Sequence, residues 1–221
     1  DAWIKEIWNW AQSTPGYKDN TYILITTDHG RGFGEGWTDH GADVKGASSI
    51  WFGLMGPEKN SNLTSRFVKE AYKLKKWAFV ADFVRLEVLY QTGGIYLDTD
   101  MMVVKSFDVF LSHECFFGAE NQNYINAAII GAEKGNVFIK QCLSKYDFIE
   151  VNLQMNFFHI AIPKIITAFF RETRNFFLPF DKIIEKDGVV VYPFNYFYSL
   201  SDENKEDVKN YKKYLSTESF A

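Results

Sequence analysis

The sequence predicts an α/β fold, on three observations. Short apolar runs of strand length, at residues 95–97, 127–130 and 189–192, alternate with stretches of helical period at residues 82–91, 136–146 and 157–172. Turn and stop residues punctuate the runs, as at Thr14-Pro15-Gly16, Gly56-Pro57 and Gly93-Gly94. Hydrophobic residues make up 47% of the 221 positions, enough to bury a core in one large or two small domains and to exclude disorder for most of the chain.

In chain order, Ile4, Ile7, Trp8 and Ala11 fall on one face of a first helix, which Thr14-Pro15-Gly16 stops. Residues 21–27 are β-branched and apolar, read as a strand covered on both faces, and run directly into Asp28-His29-Gly30. A Gly-rich polar loop reaches Ser48, and a second strand spans residues 50–55. From Thr64 the period becomes helical, with Phe67, Ala71 and Leu74 inward and Lys69, Lys73, Lys75 and Lys76 on a solvated face. The next helix, residues 82–91, carries Phe83, Leu86 and Leu89-Tyr90 and stops at Gly93-Gly94. The strand at 95–97 leads into the turn Asp98-Thr99-Asp100, a further strand at 101–104, an apolar stretch at 115–119 and the strand at 127–130. This pattern divides the chain into residues 1–57, a short polar tether at 58–62, and residues 63–221. No internal repeat is visible.

The net charge of −4 supplies no basic face, so nucleic-acid binding by counterion release is not expected. Cys115 and Cys142 have no C-x-x-C spacing and no histidine at ligand distance, and are read as buried, reduced thiols. Nothing at the amino end resembles a signal peptide. The most apolar tract, residues 157–170, falls short of the roughly 20 residues that cross a bilayer and is broken by Pro163 and Lys164. It is read as a core helix pair or an interfacial surface. The expected location is the cytoplasm, with peripheral membrane contact left open.

Asp98 and Asp100 stand one residue apart just past an apolar strand, so an extended turn brings both carboxylates to the carboxyl end of that strand, where α/β folds bind ligands. Two carboxylates at about 4 Å repel by roughly 4 kcal/mol at an effective dielectric of about 20, which a divalent cation reverses. All-oxygen ligation suits Mg²⁺ or Mn²⁺, and a cation there can bridge a diphosphate and stabilise it as it departs. By itself D-x-D is also a turn with two capping aspartates.

The surrounding residues are more specific. Asp82-Phe83-Val84-Arg85 through Gly93-Gly94-Ile95-Tyr96-Leu97-Asp98-Thr99-Asp100 closely resembles the glycosyltransferases named for a sugar-binding region containing the DXD motif, of which the bacterial glucosylating toxins are distant relatives. The resemblance runs from Arg66 to about Phe220, and includes Lys75-Lys76-Trp77-Ala78-Phe79, residues 126–132, Tyr192-Pro193 and Tyr196-Phe197-Tyr198. It implies a GT-A-like, Rossmann-like nucleotide-sugar-binding core, with Asp98 in the ribose or metal shell, Asp100 ligating metal directly, and Asp82, Arg85 and Asn126 contacting the nucleotide sugar. On their own, Asp82 and Arg85 are i and i+3 on one helix, a spacing that equally suits a plain ion pair. Asn126 equally suits a hydrogen bond at a strand start. Glu120 is a second-rank acid, while His113 and His159 lack partners at metal spacing.

In residues 1–57, Asp28 and His29 at a strand end, followed by His40, present carboxylate and imidazole groups suited to Zn²⁺ or a similar ion. With residues 50–57 they resemble the carboxyl-terminal segment of an alkaline-phosphatase or sulfatase-type hydrolase, in which Asp28 and His29 would belong to one metal centre and His40 to its neighbour. That superfamily's nucleophile and remaining ligands lie upstream of such a segment, so no ester hydrolysis is expected from this piece alone. The transferase core reads as incomplete at both ends: the hydrolase-like piece stands where a base-binding strand belongs, and a His- and Trp-bearing motif is missing beyond Ala221. A fragment or a joining of two reading frames is expected ahead of an intact fusion.

The expected activity is retaining transfer of a hexose from a nucleotide sugar, UDP-linked, to a glycan or lipid-linked acceptor with Mn²⁺ or Mg²⁺, in a setting such as bacterial surface polysaccharide synthesis. The alternatives are a metal-dependent phosphate or sulfate ester hydrolase and an inactive carbohydrate-binding remnant.

Overall fold

The computed structural model describes residues 2–18, 21, 23–26, 52–55, 65–98, 101–152, 157–199 and 205–221. The chain divides into two compact units, residues 1–81 and 82–221.

In the first unit, helix α1 (Ala2–Ser13) buries Ala11 and half-buries Ile4 and Trp8, while Ile7 at the edge of that stripe is exposed. The Ser13 and Thr14 hydroxyls both donate to the Trp10 carbonyl, and Gly16 then takes a positive φ of 88°. Strands β1 (Ile23–Thr26) and β2 (Phe52–Met55) pair antiparallel, Ile23 opposite Met55. Helix α2 (Arg66–Lys73) buries Phe67, Val68 and Ala71. It closes with Lys75 in the left-handed region and the Lys76 amide on the Ala71 carbonyl at 2.8 Å, the six-to-one bond that satisfies a terminal helix carbonyl. Helix α3 (Trp77–Thr92), whose residues from 82 onward belong to the second unit, begins before the expected residue 82 and ends at Gly93, whose amide donates to Leu89 O at 2.8 Å.

The second unit is α/β, built on a five-stranded mixed sheet. Its strands are β3 (Gly94–Leu97), β4 (Cys115–Ala119), β5 (Ile125–Ala132), β6 (Ile184–Lys186) and β7 (Val189–Tyr192), in the order β3-β5-β4-β7-β6. The β4–β7 pair is parallel and the other three pairs are antiparallel. Strands β4 and β7 are buried along their whole length, which explains their unbroken apolar sequences. Between them run helices α4 (Val137–Tyr146) and α5 (Ile162–Arg174), the latter preceded by a 3₁₀ turn at Phe157–Ile160 rather than continuous helix from residue 157. Pro163 explains the break, since its ring is tolerated in a first helical turn and not in an interior.

Neighbouring residues of β4 serve two aromatic clusters. Phe117 packs edge-on against Phe138 of α4, which continues to Phe169 and Phe170 of α5. Phe116 joins Phe110, Tyr192 and Phe197 on the alternate side, as the period of a strand requires. Gly131 is required there, because a Cβ would lie 1.9 Å from the Phe116 ring.

Residues 101–104, expected as a strand, form none. The Val104 amide instead donates to Phe220 O at 2.9 Å, and the Phe220 amide to Tyr196 O at 2.7 Å. Apolar composition there reflects packing of Met101 on the Phe110 cluster rather than a ladder. Strand β6 is an addition to the expected elements.

Candidate functional site

Helix α3 and strand β3 bring one acidic and one basic side chain to the same point. The Asp98 amide donates to Ala128 O at 2.8 Å, which seats residue 98 just past the end of β3. Its Oδ1 receives Arg85 Nη1 at 3.1 Å and the Tyr96 hydroxyl at 2.5 Å. Arg85 Nη1 also reaches Ala127 O at 3.0 Å, and Nη2 lies 3.2 Å from Asp82 Oδ1. The guanidinium stands over the Tyr96 ring, 4.6 Å from its centre. Arg85 Nε is buried without a hydrogen-bond partner among the described residues.

Asp82 and Arg85 are buried, at 8% and 5% exposure, so they form an internal ion pair rather than a surface one. The second Asp82 oxygen accepts the Ile162 amide at 3.3 Å, at the start of α5, whose N-cap Ala161 offers no side-chain acceptor. A carboxylate at that helix start satisfies an orphan donor and faces the positive end of the dipole. Asp82 therefore ties α3 to α5 while pairing with Arg85. Burial pushes its carboxyl up to about 6, against the opposing pull of the Arg85 charge. For Arg85, burial opposes the cation, but Asp82, Tyr96 and Asp98 outweigh it and raise its pKa further. Burial and the Asp98 charge hold the Tyr96 phenol well above its usual range, so it keeps its proton and acts as a donor.

Asp98 also lines a cavity of about 620 Å³, the size of a small-molecule site. Asn126 and Ala128 of β5 flank it. The Asn126 side-chain oxygen accepts the Ala128 amide at 2.7 Å, which leaves its NH₂ group for the cavity. The remaining wall is largely apolar, with Met101, Met102, Val104, Phe197 and Leu215. Asp82 and Arg85 lie behind Asp98 and are not among the described lining residues.

Of the residues expected at a site, Asp82, Arg85 and Asp98 are thus joined by direct contacts, and Asn126 shares the cavity with Asp98. Asp100, Asp28, His29 and His40 lie outside the described residues. Among the described residues no three His, Cys, Asp or Glu side chains gather as a metal cluster. Glu120 is exposed just past β4, and its amide donates to Tyr124 O at 2.9 Å. His113 Nε2 pairs with the Tyr192 hydroxyl at 2.7 Å, and Cys115 and Cys142 are buried free thiols. Tyr96 was not expected at the site, although its position two residues before Asp98 on a strand places both on one side of the chain.

A buried Arg and Tyr presenting an acidic side chain to a cavity at a strand's end suit a protein that binds a polar, charged ligand. The chain belongs to the glycosyltransferase family described as the sugar-binding region containing the DXD motif, whose family model matches residues 1–117. An uncharacterized protein of Arabidopsis thaliana is 36% identical over 69 residues, 30% of this chain and 10% of that protein. This chain therefore spans about a tenth of that relative's length. Among solved structures, PaToxG Glycosyltransferase superposes with a TM-score of 0.39 at 23% identity, over 48% of this chain and 39% of the other.

Proposed function

We propose that the chain transfers a hexose from a nucleotide sugar, UDP-linked, to a glycan or lipid-linked acceptor, with retention of configuration and with Mn²⁺ or Mg²⁺ bound. The observation that supports this most directly is the pose of Asp98. Its Oδ1 is saturated by Arg85 and Tyr96 while its side chain lines the cavity, which leaves Oδ2 without a hydrogen-bond partner among the described residues. An oxygen donor held in one orientation suits a hard divalent cation. Asp98 and Asp100 would hold that cation, which when bound supplies charge stabilisation for the departing diphosphate.

The chain's own residues do the rest. Arg85 and Tyr96 keep Asp98 in one orientation, so no reorganisation is needed as charge develops. The Asn126 NH₂ group faces the donor sugar or ribose as a hydrogen-bond donor. Asp82 and Arg85 are donor-contact residues by family resemblance, and their burial supports a framing role toward Asp98 first. A GT-A-like arrangement of the sheet is part of the same reading, as is a cytoplasmic location. No helix among the described residues is long and apolar enough to cross a membrane.

Calorimetric titration of the chain with UDP-glucose tests the assignment. Binding is expected only with Mn²⁺ or Mg²⁺ present, and is expected to vanish in Asp98→Ala and in Asp100→Ala. Metal-independent binding, or unchanged affinity in both variants, would overturn it. The hydrolase-like reading of residues 1–57 rests on sequence alone, and turnover of an aryl phosphate or aryl sulfate with added zinc would contradict the expectation that this piece is inactive.

A further inference from the structure

The cavity beside Asp98 has a mixed wall. Ser199 and Tyr211 join Asp98 and Asn126 in bringing polar groups to it, whereas Met101, Met102, Val104 and Leu215 present aliphatic and thioether groups that offer no strong hydrogen bond to a sugar. Met102 is 47% exposed, so part of this wall is left open to an incoming group. Methionine side chains adapt to irregular apolar ligands, and an alkyl chain is the simplest group that such a wall covers.

One cation shares this wall among the described residues, Lys209. Its nearest acid in sequence, Asp207, is already committed elsewhere. Asp207 accepts from Lys213 Nζ at 2.8 Å, Asn210 Nδ2 at 2.5 Å and the Tyr214 hydroxyl at 2.9 Å. Those three donors hold its carboxyl low, at about 2, so it stays an anion spent on other partners. No ion pair is found for Lys209 among the described residues, and it lines the cavity as an exposed cation.

We propose that the acceptor is a lipid phosphate: its sugar or hydroxyl head reaches toward Asp98, its phosphate pairs with Lys209, and its alkyl chain lies along Met101, Met102, Val104 and Leu215. A purely glycan acceptor would leave the aliphatic part of the wall uncovered and the ammonium without a counter-charge. A neutral amphiphile would use the wall alone. This inference rests on the transferase reading for the identity of the group transferred, but it concerns a different ligand.

The full chain is titrated with inorganic phosphate, with alkyl phosphates of increasing length up to decyl phosphate, and with decyl glucoside, all below their micelle thresholds, with Mn²⁺ and UDP present. Affinity is expected to rise about threefold per methylene over part of the series, a partial version of full methylene burial. Lys209→Ala is expected to weaken decyl phosphate about tenfold and leave decyl glucoside nearly unchanged. The double variant Met102→Ser, Leu215→Ser is expected to flatten the length dependence for both amphiphiles. All three positions are exposed or half-buried, and circular dichroism checks that the variants fold. The proposal is overturned if decyl phosphate binds no better than inorganic phosphate, or if neither variant changes its affinity. UDP that fails to bind with metal would sink the transferase reading instead, and the alkyl phosphate series repeated without nucleotide still decides the acceptor site.

Discussion

Tyr96 donates its phenolic O–H to Oδ1 of Asp98 at 2.5 Å, from two residues earlier on the same chain segment. Strand β3 places alternate residues on one side, so the hydroxyl and the carboxylate meet without any loop rearrangement. Because Arg85 Nη1 shares that oxygen at 3.1 Å, two donors define the direction in which Oδ2 points. Hydrogen bonds to a charged group contribute about 1.5–3 kcal/mol each. Tyr96→Phe keeps the ring under Arg85 and removes only the donor. Metal-dependent UDP-sugar affinity is expected to fall at least about tenfold in this variant, with the melting temperature lowered by only about 3–10 °C and the fold kept. Calorimetry and thermal denaturation on the same sample separate the two effects, and unchanged affinity would mean that Asp98 is held by other groups.

Arg85 joins three elements through one planar group, reaching Asp82 on α3, Asp98 after β3 and Ala127 O on β5. Lysine offers no fork, so it can satisfy one of these partners at a time. Arg85→Met strands a buried carboxylate at Asp82, and breaking a buried pair from one side costs about 3–5 kcal/mol. Arg85→Lys is expected to recover only part of that loss. Urea denaturation measures both, and a loss below about 1 kcal/mol in Arg85→Met would show that Asp82 finds another partner.

Asp82 gives a pH signature of unusual sign. Its native pKa, up to about 6 from an ordinary 3.8, means that the folded chain binds the extra proton between those values. Stability from this group is full below about pH 4 and is lost as pH rises through 6, the reverse of a carboxylate lowered by a salt bridge. Asp82→Asn cannot ionise and should lack this component. Plotted against pH between 4 and 7, the stability difference between wild type and Asp82→Asn is expected to move in favour of the variant as pH rises. A difference that stays flat, or moves toward the wild type, would show that Arg85 keeps Asp82 ionised throughout.

Much of the architecture was legible where one physical signal acted alone. Helix α4 follows from its helical period, and the structure adds an N-cap at Asn136, whose side chain accepts the Ile139 amide at 3.1 Å. Strand β7 follows from four consecutive buried apolar residues. Its partner β6 was missed although Asp187-Gly188, with φ of 47° and 74°, is the dipeptide that a two-residue hairpin of type I′ demands. The reason is composition, since Ile184-Glu185-Lys186 is polar at an edge and carries no strand pattern. Residues 101–104 misled in the opposite direction, because a long-range bond to Phe220 is invisible to local period. At the site, the i, i+3 spacing of Asp82 and Arg85 left a surface pair and a functional pair equally open. Only the approach of α5 and β5, far away in sequence, buries them.

Gly93 shows how tightly the end of α3 is set against the sheet that carries Asp98. Its φ is +69°, and a Cβ there would lie 2.6 Å from the Lys134 amide nitrogen and 3.2 Å from Ala132 O. Both neighbours are backbone atoms, and Ala132 is fixed by pairing with Gly94 on β3 and with Cys115 on β4. They cannot give way without disturbing strand register. Gly135 makes a control, since it has a similar φ of +76° but nothing within 4 Å of a Cβ. Gly135→Ala should therefore carry only the left-handed backbone cost, about 1–2 kcal/mol. Gly93→Ala adds a clash that no rotamer relieves, and is expected to cost at least about 2 kcal/mol more. Because β3 ends at Asp98, the same variant should also weaken metal-dependent UDP-sugar binding, whereas Gly135→Ala should not. Equal destabilisation of the two variants in urea would show that the chain around Ala132 and Lys134 can shift to accommodate a methyl group.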